Sequence, residues 1–243
     1  MIPKVIHYCW FGKKPLDDKS KKCIKSWKKY CPDFEIKEWN ENNYDITKNK
    51  YMYQAYKSNK WGFVPDYARL DIIYNYGGIY LDTDVEIIRP INELLLQKGF
   101  CGIENGTQYI ALGLGFGAEK NDATIKLLLD SYEQLSFLKN GKPDLTPAPV
   151  INAAALQDLY LKSENEITKC GTLTVYPSEY FCPINMQTGK LEKTNNTYSI
   201  HHYAASWENK RNKFRGKVYR FVNRHFGQKI ANYVRKLFGK KRG

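Results

Sequence analysis

Asp82 and Asp84 stand two residues apart in GGIYLDTDVEII (77–88), an otherwise apolar run with the composition of a buried strand. Side chains alternate across a strand, so Tyr80, Asp82, Asp84 and Glu86 are expected on one face. Two carboxylates about 7 Å apart along that face repel one another, and each resists burial unpaired. A divalent cation answers both difficulties. Oxygen ligands suit Mg²⁺ or Mn²⁺, and such sites keep positions for substrate phosphates. A bare D-x-D is also found on solvated strands. Here it follows a helical pattern, a Gly-Gly turn and an apolar strand start, which places it near the carboxyl end of an inner strand. Open α/β sheets bind ligands there.

Further polar residues carry candidate chemistry. Asp66 and Arg69, three apart in PDYARLDIIYNYGG (65–78), share one side of a helix, whereas Asp71 falls off it and is expected to be structural. His201 and His202 precede Ser206 and Trp207. A histidine can complete a metal shell or bond a phosphate. Adjacent residues of an extended segment face opposite ways, so one of the two points inward; His202 is the expected ligand. Asn152 reads as a helix-start cap, with a sugar or acceptor contact as the alternative.

The stretch VPDYARLDIIYNYGGIYLDTDVEIIRPI, the start IPKVIHYCWFG and the ending IHHYAASW together resemble glycosyltransferase family 32. That family includes yeast mannosyltransferases and bacterial capsule enzymes; the clostridial glucosylating toxins are more distantly similar. The resemblance spans roughly residues 1–207. It implies a GT-A fold, a nucleotide-sugar donor (a UDP-sugar in preference to a GDP-sugar), Mn²⁺ or Mg²⁺, and transfer with retention. It further implies that Asp84, and Asp82 directly or through water, hold the metal, and that Asp82 reaches the donor ribose. By the same likeness Asp66 and Arg69 contact the donor sugar, and one histidine, Ser206 and Trp207 close over the donor. Trp10, beside His7 on the first strand, would then stack on the base or fill the core, and Tyr80 would pack on sugar or phosphate or fill the core. Sequence places no nucleophile for retention through a glycosyl-enzyme. A front-face route needs only metal and positioning.

The elements that must position these groups alternate. Strands are expected at 4–11, 34–40, 79–88, near 110–118 and at 172–176, and helices over about 17–30, 47–60, 65–78, 122–138 and 150–162. The expected fold class is α/β, a partly parallel GT-A nucleotide-sugar-binding sheet flanked by helices. The six cysteines lack CxxC spacing, so reduced core thiols are expected. No apolar run reaches about 18 residues, and the opening MIPKVIHYCW lacks signal-peptide layout, which makes the cytoplasm the expected compartment.

The net charge of +13 is uneven. Thirteen Lys and Arg and no Asp or Glu follow Lys210 inclusive, whereas residues 1–209 hold 25 of each sign. Apolar residues recur at three and four within 217–243, from Val218 and Phe221 to Leu237 and Phe238, with a break expected at Gly227. Such a basic amphipathic helix lies on anionic membrane surfaces. No nucleic-acid reader motif accompanies the charge. Two units are expected, a catalytic domain over 1–209 and a membrane-associating tail over 210–243. The reading is a metal-dependent retaining transferase, peripheral on the inner membrane face, extending a capsule or O-antigen type glycan or lipid-linked acceptor. The alternatives are a non-catalytic membrane- or nucleic-acid-binding protein on a degenerate transferase scaffold, or an effector glycosylating host protein.

Overall fold

The computed structural model describes residues 1–107, 109–159, 166–185, 187–204 and 210–239. In chain order the elements are β1 (Val5–Cys9), α1 (Asp18–Tyr30), β2 (Glu35–Trp39), α2 (Lys50–Lys57), α3 (Pro65–Tyr76), β3 (Gly78–Tyr80), β4 (Val85–Ile87), β5 (Gly99–Gly102) and β6 (Phe116–Ala118). There follow α4 (Ala123–Ser131), the small hairpin β7 (Leu138–Lys139) and β8 (Lys142–Pro143), α5 (Ala148–Ala155), β9 (Thr168–Cys170), β10 (Leu173–Tyr176), α6 (Ser178–Phe181), β11 (Ser199–His201) and α7 (Lys210–Gly239).

A seven-stranded sheet has the order β2-β1-β3-β6-β5-β10-β9. β1 is parallel to β2 and β3, and β5 to β10, while β6 runs antiparallel between β3 and β5. This is the mixed α/β sheet flanked by helices expected from the sequence. Its two faces bury separate cores. One gathers Met52, Leu70, Ile73, Tyr80, Phe116 and Leu128 around α2, α3 and α4. The other gathers Ile6, Ile24, Trp27, Ile79, Phe100 and Phe181 beneath α1 and α6. Ile79 and Tyr80 fall into opposite cores, as the two-residue strand period requires. All six cysteines are free and buried, matching the expected packing role.

One strand expectation fails in an informative way. The run 79–88 is not continuous. β3 ends at Tyr80, Leu81–Asp84 turn away, and β4 pairs antiparallel with β11 in a separate ribbon. The turn satisfies its own backbone, with Leu81 N–H donating to His7 O at 3.0 Å and Val85 N–H to Asp82 O at 3.0 Å. Asp82 and Asp84 therefore leave the sheet at its carboxyl end, where ionised groups keep access to water or a ligand. α1 holds the departing strand: Trp27 Nε1 donates to Val85 O (2.7 Å) and Ile87 N–H to Ser26 Oγ (3.0 Å). Asp17 caps that helix by accepting from Ser20 N–H.

The Gly-Gly turn feeding β3 is a close-packed joint. Gly77 has φ 67° with ψ −170° and Gly78 has φ 101°, backbone angles open to glycine. A Cβ on Gly78 would sit 2.8 Å from Val5 O and 2.9 Å from His7 Nε2. His7 is buried there, accepting at Nδ1 from Trp39 Nε1 (3.1 Å) and bonding Gly77 O through Nε2 (3.0 Å). It fastens β2 and the turn to β1. Burial lowers its pKa to about 4 against the tie to Gly77 O, which raises it. Unfolded His7 takes a proton near pH 6.5 and folded His7 near 4, so within that window the unfolded chain binds more protons. This contribution, on the order of 3 kcal/mol, is present at neutral pH and lost on acidification. A His7→Gln variant should be less stable than wild type at pH 7.5, with the gap in urea midpoint closing towards pH 4; a gap independent of pH would contradict the assignment.

Candidate functional site

The turn after β3 and the end of β11 bring Asp82, Asp84 and His201 together. Their nearest ligand atoms all lie within 4.8 Å of one another. Asp84 is the most constrained. Its Oδ1 lies 3.1 Å from His201 Nε2, its Oδ2 accepts from Ala204 N–H (2.7 Å), and its backbone oxygen accepts from His202 N–H (3.0 Å). Burial raises the Asp84 pKa, but the charge and hydrogen bond of His201 and the Ala204 amide outweigh it and hold the carboxyl near 2. Burial lowers the pKa of His201, and the carboxylates around it, Asp84 foremost with Asp82 and Glu104, together outweigh that and leave it raised.

The histidine expectation is corrected. In the β4–β11 ribbon His201 turns inward to Asp84, and His202 turns outward, where its Nε2 lies 2.8 Å from Glu86 Oε2 with both side chains 42% exposed. Residue alternation allowed one inward histidine, and the ribbon register selects His201. Ser206 and Trp207 lie outside the described residues.

Asp66 and Arg69 form a buried pair, with Arg69 Nη2 donating to Asp66 Oδ1, and Arg69 Nη1 lies 3.9 Å from Asp82 Oδ1. Their environment, with side chains 5% and 6% exposed, separates them from a surface ion pair of little consequence. Burial raises the Asp66 pKa to about 7 despite the opposing charge of Arg69. Pro65 opens α3 and sets both residues in its first turns. Tyr80 is buried against Phe116 with Arg69 over its ring at 5.3 Å, so it belongs to the core, and its atoms also line the cavity beside Asp82. Asp71 accepts from Tyr44, Lys48 and Asn75, as its structural reading requires.

Two cavities meet at Arg69 and Asp82. The first, about 320 Å³, is lined by Trp10, Phe11, Lys14, Trp61, Tyr80, Asp82 and Asp84. Trp10 is half-buried there and donates from Nε1 to Lys14 O (2.6 Å). The second, about 440 Å³, is lined by Asp66, Arg69, Asp82, Glu104, Leu112, Leu145, Pro147, His201 and Tyr203. Both are of ligand-binding size. Gly113 belongs to the same joint: a Cβ on it would collide with Asp82 Oδ2, so the 112–114 turn can press against that carboxylate only as glycine. Sequence reasoning missed Lys14, Trp61, Glu104, Gly113 and Tyr203. The one available signal was the glycine-rich ALGLGFGA following Glu104. Asn152 is a correction as well. It lies within α5, whose N-cap is Pro147, and is 1% exposed, with an Oδ1 that has no partner among the described residues.

The donor set of Asp82, Asp84 and His201 fits a divalent cation. Ligands on opposite sides of an ion with bonds near 2.1 Å lie about 4.2 Å apart, so the three need only slight convergence. The two carboxylates are hard oxygen donors of the kind divalent cations take, and the imidazole adds one nitrogen donor.

Residues 17–101 match a family model described as a glycosyltransferase sugar-binding region containing a DXD motif, a span that holds Asp66, Arg69, Asp82 and Asp84. The expected enzyme class, a glycosyltransferase, rests on that match. No curated protein matches the chain. Among solved structures the chain is similar to PaToxG glycosyltransferase, at 20% identity over 65% of this chain and 68% of that one (TM-score 0.48). It is similar to a glycosyltransferase involved in glycosylation of the major capsid of PBCV-1, at 12% identity over 84% and 95% (TM-score 0.48). It is also similar to the galactosyltransferase LgtC in complex with donor and acceptor sugar analogs, at 11% identity over 88% and 93% (TM-score 0.42).

The geometry separates the two histidines by experiment. His201→Ala should weaken Mn²⁺ binding, read by titration calorimetry, by about tenfold or more, and His202→Ala by much less. Equal losses, or a larger loss for His202→Ala, would contradict the ligand assignment.

Proposed function

We propose that this protein is a metal-dependent, retaining GT-A glycosyltransferase of the family 32 type. It moves a sugar from a nucleotide-sugar, with a UDP-sugar preferred, to a growing polysaccharide or lipid-linked precursor of the capsule or O-antigen kind. The observation that carries this reading is the meeting of two cavities at Asp82 and Arg69, beside the Asp82–Asp84–His201 trio. The nucleotide lies in the first cavity, with Trp10 and Trp61 as its aromatic walls and Lys14 near its phosphates. The sugar crosses at Arg69, which is held rigid by Asp66 and fixes sugar hydroxyls through its remaining N–H groups. A divalent cation bound by Asp82, Asp84 and His201 would supply charge neutralisation to the leaving diphosphate. The chain's own contribution is orientation. Asp84 is locked ionised, and Asp82 is aimed by Arg69 and by the backbone at Gly113. The acceptor O–H bond and the anomeric C–O bond to phosphate break, a new glycosidic C–O bond forms on the same face, and the proton leaves with the nucleotide diphosphate.

Residues 1–209 form the catalytic unit in this reading and 210–243 the membrane-associating tail. α7 breaks its helical geometry at Gly227 (φ 82°, ψ 165°). Asn223 Nδ2 and Arg224 Nε donate to Gln187 O and Thr188 O, which seats the helix on the body. Phe214, Phe221, Phe226, Ile230, Tyr233 and Leu237 stay exposed among the basic residues. Exposed apolar side chains beside Lys and Arg suit an anionic lipid surface, with roughly 1 kcal/mol gained per basic residue near it. Among the described residues no helix is long and apolar enough to cross a membrane. Docking at the inner membrane face would raise the effective concentration of a lipid-linked acceptor.

Incubation with a panel of nucleotide-sugars and Mn²⁺ should release nucleotide from at least one donor, with chelator abolishing the rate and Mn²⁺ restoring it. Asp84→Ala should lower it by about two to three orders of magnitude with unchanged circular dichroism. Turnover that ignores both chelator and this substitution would refute the site. Removal of residues 210–243 should reduce sedimentation with anionic vesicles to the level seen with neutral ones. Retained binding would refute the role of the tail.

A further inference from the structure

The second cavity contains a carboxylate that donor binding, as proposed, does not use. Glu104 follows β5 and lines this space together with Asp66, Arg69, Asp82 and Tyr203. Its Oε2 accepts from Thr107 Oγ1 (2.9 Å), and its Oε1 lies 3.5 Å from the Tyr203 hydroxyl. A carboxylate offers about four lone-pair positions, so Glu104 keeps accepting capacity. No Lys or Arg among the described residues pairs with it. Arg69, the guanidinium among the cavity's described lining residues, is already bonded to Asp66 and lies beside Asp82, and His201 is engaged with Asp84.

The rest of the lining is largely apolar, with Leu112, Leu114, Leu145, Pro147 and Pro149. Tyr203 is held beside Glu104 at φ 46°, a left-handed conformation that a bulky side chain seldom adopts, and its hydroxyl also lies 2.8 Å from Cys182 Sγ. A half-buried carboxylate in apolar surroundings calls for hydrogen-bond donors from whatever fills the space. A hexose presents hydroxyl donors and apolar C–H faces in one ligand. A ligand bearing its own carboxylate or phosphate would meet the repelling charge of Glu104, while the basic groups among the described lining residues, Arg69 and His201, are already engaged by Asp66 and Asp84.

We propose that the second cavity is the acceptor subsite, that it takes an uncharged sugar, and that Glu104 accepts a hydrogen bond from an acceptor hydroxyl while its charge rejects anionic acceptors. This rests on the transferase reading above. Glu104 forms no covalent bond and keeps no proton at the end of the transfer.

The test uses the full chain with Mn²⁺ and whichever nucleotide-sugar the donor panel selects. The acceptor probes are methyl glycosides of neutral hexoses and the matching methyl hexuronosides. Wild type should favour the neutral glycosides. Glu104→Gln should lower kcat/KM for them by about tenfold to a hundredfold, with a much smaller change in donor KM, and should narrow the discrimination against hexuronosides. Glu104→Asp, which keeps the charge, should preserve that discrimination, so the claim stays testable if the Gln variant folds poorly. A wild type that prefers hexuronosides, or that hydrolyses donor yet transfers to neither set, overturns this inference alone. So does a Gln variant whose donor and acceptor parameters fall together or stay unchanged. A wild type that turns over no donor overturns the transferase reading, and this inference falls with it.

Discussion

The site depends on a strand that stops. β3 runs as an inner strand as far as Tyr80, and the chain then turns so that Asp82 and Asp84 leave the sheet together. Had the strand continued, both carboxylates would have faced the tightly packed core around Tyr80 and Phe116, with no counter-charge but Arg69. The turn instead lets the Asp84 carboxylate take two hydrogen-bonding partners from the β11 end of the chain, His201 and Ala204, over a hundred residues away. That contact, beside the β4–β11 pairing, joins early and late parts of the molecule. It also explains the low pKa of Asp84: the group is buried, yet its ionised form is the bonded one.

Support for this turn comes from several directions. α1 is clamped to β4 through Trp27 and Ser26, Leu81 is tied to β1 through His7 O, and the glycine turn before β3 is packed onto Val5 and His7. From the other side Gly113 presses its backbone on Asp82, and Arg69 stands between Asp66 and Asp82. The charges are thus held by rigid elements and by backbone, and neither carboxylate has far to move when a ligand arrives.

Much of this was readable in the residues themselves. The alternation of elements, the helix 65–76 with Pro at its start, and the pairings of Asp66 with Arg69 and of Asp82 with Asp84 all follow from local pattern. What local pattern does not contain is the point at which the backbone leaves a sheet. GGIYLDTDVEII alternates well enough for one strand, and only the switch of partner from β6 to β11 divides it. The choice between His201 and His202 has the same origin, since it depends on the register of a ribbon whose strands are distant in sequence. Glu104, Trp61 and Gly113 carry no motif, and their relevance arises only from the tertiary placement of β5, the approach to α3 and the 112–114 turn. Asn152 shows the converse: its residue type suggested a cap, and burial inside α5 overrode that preference.

The central claim is that Asp82, Asp84 and His201 hold one divalent cation at the end of the broken strand. Pulsed electron paramagnetic resonance of the Mn²⁺-loaded protein tests it directly, because the ion reports its own ligands. The account requires a bound ion coupled to a single imidazole nitrogen, with part of its water shell displaced. A spectrum of fully hydrated Mn²⁺, free of nitrogen coupling, would contradict it.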